Sequence, residues 1–211
     1  MCIRDRDSSY LIISGLRLYT NDYKTAGRAI DVTGAVDHQL YEDLWVDQHY
    51  NNKIQGGSAG ISNVAIRRSV FTDHNAWDGA FYVARVTNML FEENVFSKPR
   101  RPDDDTKYAR HLYLSPAGLT TDDKNALIGL ILRRNIFYAG ERGAVDIRSG
   151  GMLENNLSIQ NDITSIGGRG GSRDSIQSFK LINNVFLEGS PNINDPNRIL
   201  LTNIDGGVVS S

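Results

Sequence analysis

The chain lacks the features that mark several common classes of protein. Its 211 residues contain one cysteine, Cys2, so no disulfide can form within the chain. No apolar run approaches the roughly 18 residues that a membrane-spanning helix needs. Residues 1–7 lack the apolar segment of a signal peptide. The net charge is −2 and the lysines and arginines are scattered, so we expect neither nucleic acid nor a membrane as partner. The oligomeric state stays open.

The sequence also lacks helical periodicity, and it shows instead a repeating pattern typical of β-strands. The pattern apolar-x-apolar-x-x-Asn-apolar-Phe fits Val64–Phe71 (with Ser69 in the Asn column), Met89–Phe96, Leu130–Phe137 and Phe179–Phe186. Weaker copies place Gly15, Asp43 and Asn156 in that column. Most successive copies are 21 to 28 residues apart, with one step of 41. A repeat of this length without helices predicts stacked strands.

A second, strictly alternating strand precedes most copies of the pattern. Period two predicts half-buried strands. The inward pairs are Ile30/Val32, Phe81/Val83, Leu112/Leu114 and Val145/Ile147, and the central outward column is Asp31, Tyr82, Tyr113, Asp146 and Thr164. We expect no copy between Asp43 and Ser69, where residues 51–60 are predicted to form a glycine-rich loop.

The rungs RHLYLS, GAVDIRSGGMLENNLS and FKLINNVF resemble the right-handed parallel β-helix of the pectate-lyase-like superfamily. The resemblance implies an all-β solenoid of about seven coils, each burying its inward row against its neighbours. Its handedness also follows the general rule for parallel crossovers. We expect residues 8–211 to be one β-helix domain, incomplete at both ends. Residues 1–7 are expected to be a non-native or disordered leader, similar to translated adapter sequence on metagenomic fragments.

The Asn column is predicted to be structural. Asparagine tolerates the left-handed backbone of a sharp bend, and stacked amides can bond to one another as a ladder. We therefore expect Asn94, Asn135, Asn156 and Asn184 to form a ladder or turns. The neighbouring aromatic residues, Phe71, Phe96, Phe137 and Phe186, should stack in the core.

A candidate site lies on the outward face of the alternating strands, where two adjacent rungs bring His111, Tyr113, Asp146 and Arg148 together. The family resemblance implies a carbohydrate-active protein, and aromatic rings with arginines suit a polyanionic sugar chain. The first hypothesis is a polysaccharide lyase or epimerase acting on a uronate-containing polymer, with His111 or Tyr113 as base or acid. Arg148, Arg110 or a bound Ca²⁺ would neutralise the substrate carboxylate. The predicted catalytic residues are His111, Tyr113 and Arg148, and the predicted substrate-binding residues are Tyr82, Arg85, Arg110, Asp146 and Arg142.

Other functions stay open. The chain could be a non-catalytic carbohydrate-binding or tailspike-like surface solenoid, or it could carry active rungs in a missing part. A glycoside hydrolase needs two carboxylates about 5 Å or 6.5–9.5 Å apart, and Asp146 has only Asp162 as a candidate partner. Ca²⁺ is left open at Asp103–Asp105, while four widely spaced histidines do not favour zinc. The loops 97–107 and 116–125 are expected to wall a cleft. An extracellular or periplasmic location is expected.

Overall fold

The computed structural model describes residues 3–19, 27–49, 52–74, 79–99, 110–114, 127–140, 143–161, 164–167, 176–177, 179–187, 199–202, 204–205 and 208–210. These residues form β-strands joined by turns and bends. Within them, no helix has the length and apolar composition needed to cross a bilayer. The prediction of an all-β fold is confirmed.

The described residues contain twenty-four strands. In chain order they are β1 (Ile3–Arg6), β2 (Ser9–Ser14), β3 (Arg17–Tyr19), β4 (Ile30–Glu42), β5 (Trp45–Asp47), β6 (Asn52–Arg67), β7 (Val70–Thr72), β8 (Phe81–Ala84), β9 (Val86–Glu92), β10 (Val95–Ser97), β11 (Leu112–Leu114), β12 (Leu127–Ile128), β13 (Ile131–Arg133), β14 (Ile136–Tyr138), β15 (Val145–Ile147), β16 (Gly151–Glu154), β17 (Leu157–Ile159), β18 (Thr164–Gly167), β19 (Ile176–Gln177), β20 (Phe179–Ile182), β21 (Val185–Leu187), β22 (Ile199–Thr202), β23 (Ile204–Asp205) and β24 (Val208–Ser210).

Most of the strands pair into three parallel stacks; in addition, β12 pairs with β9, and β19 and β23 form a separate two-stranded sheet. The first stack runs β1-β4-β6-β8-β11-β15-β18-β22, and the second runs β2-β4-β6-β9-β13-β16-β20-β24. The long strands β4 and β6 belong to both and join them into one curled, 15-stranded sheet. The third stack is a separate seven-stranded sheet, β3-β5-β7-β10-β14-β17-β21. The chain returns to each stack in turn, an arrangement compatible with a β-solenoid.

The core lies between the stacks and follows the predicted alternation. The inward residues of the first stack are at most 2% exposed: Ile30, Val32, Phe81, Val83, Leu112, Leu114, Val145 and Ile147. Each buried side chain of this size stabilises the fold by roughly 1.5–3 kcal/mol.

The predicted row of stacked phenylalanine rings forms on the third stack of strands, but it contains fewer rings than expected. Phe71 and Phe96 stack with ring centroids 5.2 Å apart, and Phe96 and Phe137 at 5.3 Å. The prediction for Phe186 is wrong, because Ser158 lies in register between it and Phe137. Phe186 is accordingly only half-buried.

The predicted Asn ladder is present. Asn135 Oδ1 accepts hydrogen bonds from the backbone N–H and the Nδ2 of Asn94, both at 3.0 Å. Asn156 Oδ1 accepts the corresponding pair from Asn135, and Asn184 Oδ1 the pair from Asn156. Each Nδ2 group also donates to a backbone carbonyl, as Asn135 does to Phe91 at 2.9 Å. The column is therefore fully bonded from strand to strand.

The left-handed backbone conformation at the sharp bend is adopted by the residue before each ladder position. The backbone at Asp43, Arg68, Glu93, Arg134, Asn155 and Asn183 has φ between 45° and 57°. The expectation that the ladder asparagines supply the left-handed conformation is therefore wrong. Gly15 and Asp43 are also one residue out of the ladder column. On the two strands before Asn94, the ladder column is occupied by Ser69 and then by Leu44. The Leu44 N–H donates a 3.1 Å hydrogen bond to Ser69 Oγ.

Charged residues alternate in sign in the column just before the bend. Strand register places Glu42, Arg67, Glu92, Arg133 and Glu154 opposite one another. The carboxylate of Glu92, 3% exposed, lies 2.9 Å from Arg67 and 2.6 Å from Arg133, and it also contacts Arg134. Because opposite charges face each other on neighbouring strands, this column supports the register.

One predicted loop is a strand. The expectation of a loop over residues 51–60 is wrong, because β6 begins at Asn52 and its first part pairs with both β4 and β8. The register between β4 and β6 shifts after Gly34 and Gly56. A Cβ on Gly56 would lie 2.4 Å from the Arg85 carbonyl oxygen, so only glycine allows this close approach.

Residues 1–7, expected to lie outside the domain, are described from Ile3 onward. Ile3–Arg6 form β1 and pair in parallel with Ile30–Thr33, and the Ile3 side chain is 8% exposed. The origin of these residues and the domain boundary at residue 8 stay predictions.

Candidate functional site

The outer column of the first stack brings three predicted site residues into line. Register places Asp31, Lys53, Tyr82, Tyr113 and Asp146 opposite one another on successive strands. Neighbouring strands lie about 4.8 Å apart. The predicted adjacency of Tyr82, Tyr113 and Asp146 therefore holds. The next member of the column is Ser165, so the placement of Thr164 there is wrong by one residue.

Tyr113 is the centre of this group. Its ring lies 5.6 Å from the Tyr82 ring, at an interplanar angle of 50°. The guanidinium carbons of Arg110 and Arg148 lie 5.0 Å and 4.7 Å from the Tyr113 ring centroid. Both distances allow a cation–π contact. We refer to Tyr82, Arg110, Tyr113, Asp146 and Arg148 as the tyrosine–arginine cluster.

Asp146 holds the two arginines together. Its Oδ2 atom accepts a short hydrogen bond from Arg110 Nη1 and lies 3.5 Å from Arg148 Nη2. Asp146 is 5% exposed and Arg110 8%, so the ion pair is shielded from water and each partner depends on the other. Two guanidinium charges against one carboxylate leave the cluster with one net positive charge.

Asp146 and Arg148 of the cluster each have a polar atom without a hydrogen-bond partner. Within the described part of the chain, Asp146 Oδ1 and Arg148 Nε are buried and have no hydrogen-bond partner. Buried polar atoms are normally paired. The Arg148 side chain as a whole is 20% exposed, so a guanidinium beside a tyrosine ring, in a group of net positive charge, is accessible to an anionic group of a ligand.

His111 is not part of this outer group, so its expected outward orientation is wrong. The residue is 0% exposed, and its ring lies 6.2 Å from Phe96 and 5.9 Å from Phe137, inside the core. Strand β11 begins only at Leu112. The two-residue alternation that predicts an outward side chain therefore does not apply at residue 111. Burial, and then neighbouring His74, lowers the pKa of His111 well below its ordinary value.

Of the other predicted residues, some are described by the structure and some lie outside the described residues. Arg85 is half-buried at the bend between β8 and β9, where its φ is 56°. Arg142 lies outside the described residues, as do Asp162 and the aspartates Asp103–Asp105. The expected walls of a cleft also lie there, apart from residues 97–99 of the first loop.

The structure adds basic and acidic residues at the other end of the same column. Lys53 follows Asp31 in register, and Asp31, 9% exposed, lies 3.8 Å from Arg28 and 3.7 Å from Arg4. Sequence reasoning missed Lys53 because the glycines after it predicted a loop. The alternation of Asn52 to Gln55 around the inward Ile54 is the signal that could have identified this strand.

In the described residues, no group of three or more histidine, cysteine, aspartate or glutamate side chains is placed to hold a metal ion. The proposed Ca²⁺ ligands are outside that part of the chain, so the Ca²⁺ hypothesis stays a prediction.

Comparison with known proteins gives no family. No family model matches the chain, and no curated protein or solved structure matches it.

Proposed function

We propose that this protein is a right-handed parallel β-helix of about seven coils, similar to the pectate-lyase-like superfamily, that acts on a uronate-containing polysaccharide. The activity proposed is that of a lyase or an epimerase. The observation that carries the proposal is that the guanidiniums of Arg110 and Arg148 both lie against the Tyr113 ring, in a cluster with one net positive charge.

In this proposal, the Arg148 guanidinium binds the substrate carboxylate. Its side chain is 20% exposed, and a guanidinium matches a carboxylate in shape and charge. Neutralising that carboxylate stabilises the negative charge that develops when the adjacent C5–H proton is removed. Arg110, bonded to Asp146, keeps the group in place and adds positive charge.

The Tyr113 hydroxyl is the group proposed for proton transfer. In elimination, the C5–H bond breaks, its electrons form a C4=C5 double bond, and the C4–O bond breaks with a proton reaching the leaving oxygen. In epimerisation, a proton returns to C5 from the opposite face and no bond to oxygen breaks. His111 takes no part, because its ring faces Phe96 and Phe137.

A second function is favoured by one observation. Tyr82 and Tyr113 form an adjacent pair of rings, and the histidine expected as a base lies in the core. This arrangement would serve a non-catalytic carbohydrate-binding or surface solenoid that stacks sugars and pairs with their carboxylates. Either function places the protein where such polymers occur, outside the cell or in the periplasm.

The test is the ultraviolet absorbance of unsaturated uronate, followed on alginate, pectate and heparinoids with and without Ca²⁺. Binding and deuterium incorporation at C5 are measured in parallel. Tyr113→Phe is the test variant and Tyr138→Phe, on the outer face of the third stack, is its control. A new absorbance that Tyr113→Phe abolishes and Tyr138→Phe preserves would support a lyase, and deuterium exchange without absorbance an epimerase.

Binding without either chemistry would favour the surface-solenoid function. The proposal is wrong if no anionic polymer binds or reacts, or if Tyr113→Phe retains full activity.

A further inference from the structure

Two histidines lie buried together in the core, and one of them, His111, directly follows Arg110 of the tyrosine–arginine cluster. His74 is 2% exposed and His111 0%, and their ring centroids are 5.7 Å apart. Within the described residues, none of their four ring nitrogens makes a hydrogen bond of ordinary length and geometry. The polar groups near them are the Asn161 side chain and the backbone carbonyls of Tyr138 and Arg110.

The surrounding structure is shaped to admit the His111 ring. A Cβ on Gly140 would lie 3.0 Å from His111 Nε2 and 2.6 Å from Asn161 Oδ1. Glycine at position 140 therefore leaves the space that the imidazole fills. The aromatic rings of Phe96 and Phe137 also lie beside the His111 ring.

This pocket offers little to stabilise a positive charge. From the described elements packed against His111, the one titratable group that faces its ring is the His74 imidazole. The charged groups nearest in sequence, Arg110 and Asp146, pair with each other in the outer cluster. Protonating either imidazole would thus place a charge in an apolar environment, and protonating both would add repulsion.

His111 is joined to the proposed site through a short strand. Arg110 precedes it, and Tyr113 lies within β11, which has only three residues. The N–H groups of His111 and Leu112 both donate to the Ala144 carbonyl, at 3.2 Å and 3.1 Å. Moving the His111 ring out of the core would disturb these bonds and the strand that carries Tyr113.

We propose that His74 and His111 form an acid-sensitive latch, which holds β11 in the first stack while both rings are neutral and releases it when they are protonated. The latch is a property of the fold. Its consequence, loss of the tyrosine–arginine cluster and of polymer binding in acid, rests on the proposed function.

The direction of the pH dependence follows from the histidine pKa values in the closed and the opened states. Burial lowers the pKa of His74 to about 3 and holds the pKa of His111 well below its ordinary value. Since an exposed histidine has a pKa near 6.5, the opened state binds more protons below that pH. Closure is therefore fully favoured above pH ~6.5 and weakens as pH falls. From pH 7 to pH 5, each histidine so exposed shifts the opening equilibrium by about 25-fold toward the open state.

The test is amide hydrogen exchange of Leu112, corrected for the intrinsic pH dependence of exchange. This local readout is chosen because His49 is also buried and would contribute to any global measurement. We expect the protection of Leu112 to fall by about 25-fold or more from pH 7 to pH 5. His111→Phe and His74→Leu should each reduce that dependence, whereas His38→Gln, which removes an exposed histidine paired with Asp37, should leave it intact.

The latch is wrong if wild-type protection does not change over this range, or if both core variants keep the full wild-type dependence. A nuclear magnetic resonance titration of the wild-type imidazoles decides the case where the variants do not fold. Signals of His74 and His111 that titrate near pH 6.5 in the folded protein would overturn the proposal. None of these measurements uses a polysaccharide, so their outcome is independent of the proposed function.

Discussion

The Asn ladder and the outer column of the first stack share the same parallel register but satisfy their polar groups in opposite ways. In the ladder, each asparagine bonds to the next strand at 2.9–3.0 Å, with one residue type repeated. In the outer column, residue types change from strand to strand; Asp146 Oδ1 in the column, and Nε of Arg148 beside it, have no hydrogen-bond partner in the described residues. A uniform column whose polar groups are all paired is typical of a structural role, and a mixed column with unpaired polar atoms beside it fits the proposed binding role.

The largest effect on this comparison should come from the ladder. Asn135→Ala removes a side chain that accepts two hydrogen bonds and donates two, so the Asn94 N–H loses its acceptor and the Phe91 carbonyl loses one donor. We expect the free energy of unfolding to fall by about 3 kcal/mol. Urea denaturation measures it, with Thr87→Ala at an exposed strand position as control. A loss below about 0.5 kcal/mol would mean that the ladder is not a structural column.

The next effect should come from the charged column. Glu92→Gln removes the charge that three arginines share in a side chain 3% exposed. Because those arginines are between a third and a half exposed, they can turn to solvent, and we expect a loss of about 2 kcal/mol. The matched change Glu93→Gln affects one pair with a 40% exposed carboxylate and should cost less than about 1 kcal/mol. Equal losses in urea denaturation would show that burial of Glu92 is not what distinguishes the two positions.

In the outer column, a change should affect binding more than stability. Arg148→Ala removes the guanidinium over Tyr113 that has an unused donor. We expect affinity for an anionic polymer to fall about tenfold or more, which corresponds to about 1.4 kcal/mol, with a smaller change in unfolding. Titration calorimetry measures the affinity, and Arg17→Ala, at the far edge of the third stack, is the control. Unchanged affinity in Arg148→Ala, or an equal loss in both variants, would remove the functional distinction between the columns.

The smallest effect concerns a bonded group that lies at the surface. Asp37 accepts hydrogen bonds from Ser62 Oγ at 2.6 Å and Asn63 Nδ2 at 2.8 Å, which with His38 lower its pKa to about 2. Because the folded pKa is below the ordinary value near 3.8, its stabilising contribution is present above that pH and is lost as pH falls toward 2. A carboxyl carbon titration should show this midpoint, and Ser62→Ala should raise it. A midpoint near 3.8 in the wild type would show that these bonds do not hold at the surface.

The repeat was readable from the sequence wherever one residue type recurs at one spacing. The alternation around Leu112 and Val145 predicted inward residues, and the recurring asparagine predicted the ladder. The bend residues were not predictable in this way. Arg68, Glu93 and Arg134 adopt a left-handed backbone although their side chains have no preference for it, because the ladder and the paired strands fix their position.

The candidate site was predicted only in part, because some of its residues lie within strands and others lie next to them. Tyr82, Tyr113 and Asp146 lie within strands and obey the alternation, so their common column could be anticipated. His111 lies one residue before β11, where neighbouring space rather than alternation decides its direction. The contact of Arg110 with Asp146 depends on side-chain placement across strands, which the repeat pattern does not encode.

The alternating charges also limit how this part of the protein could have changed in length during evolution. Along Glu42, Arg67, Glu92, Arg133 and Glu154, every neighbour has the opposite sign. Duplicating or deleting one repeat would bring two carboxylates or two guanidiniums face to face, which destabilises a pair of strands. Removing or inserting two adjacent repeats restores the alternation. Among changes to the internal repeats of this segment, a pair of repeats is therefore the smallest that keeps the alternation.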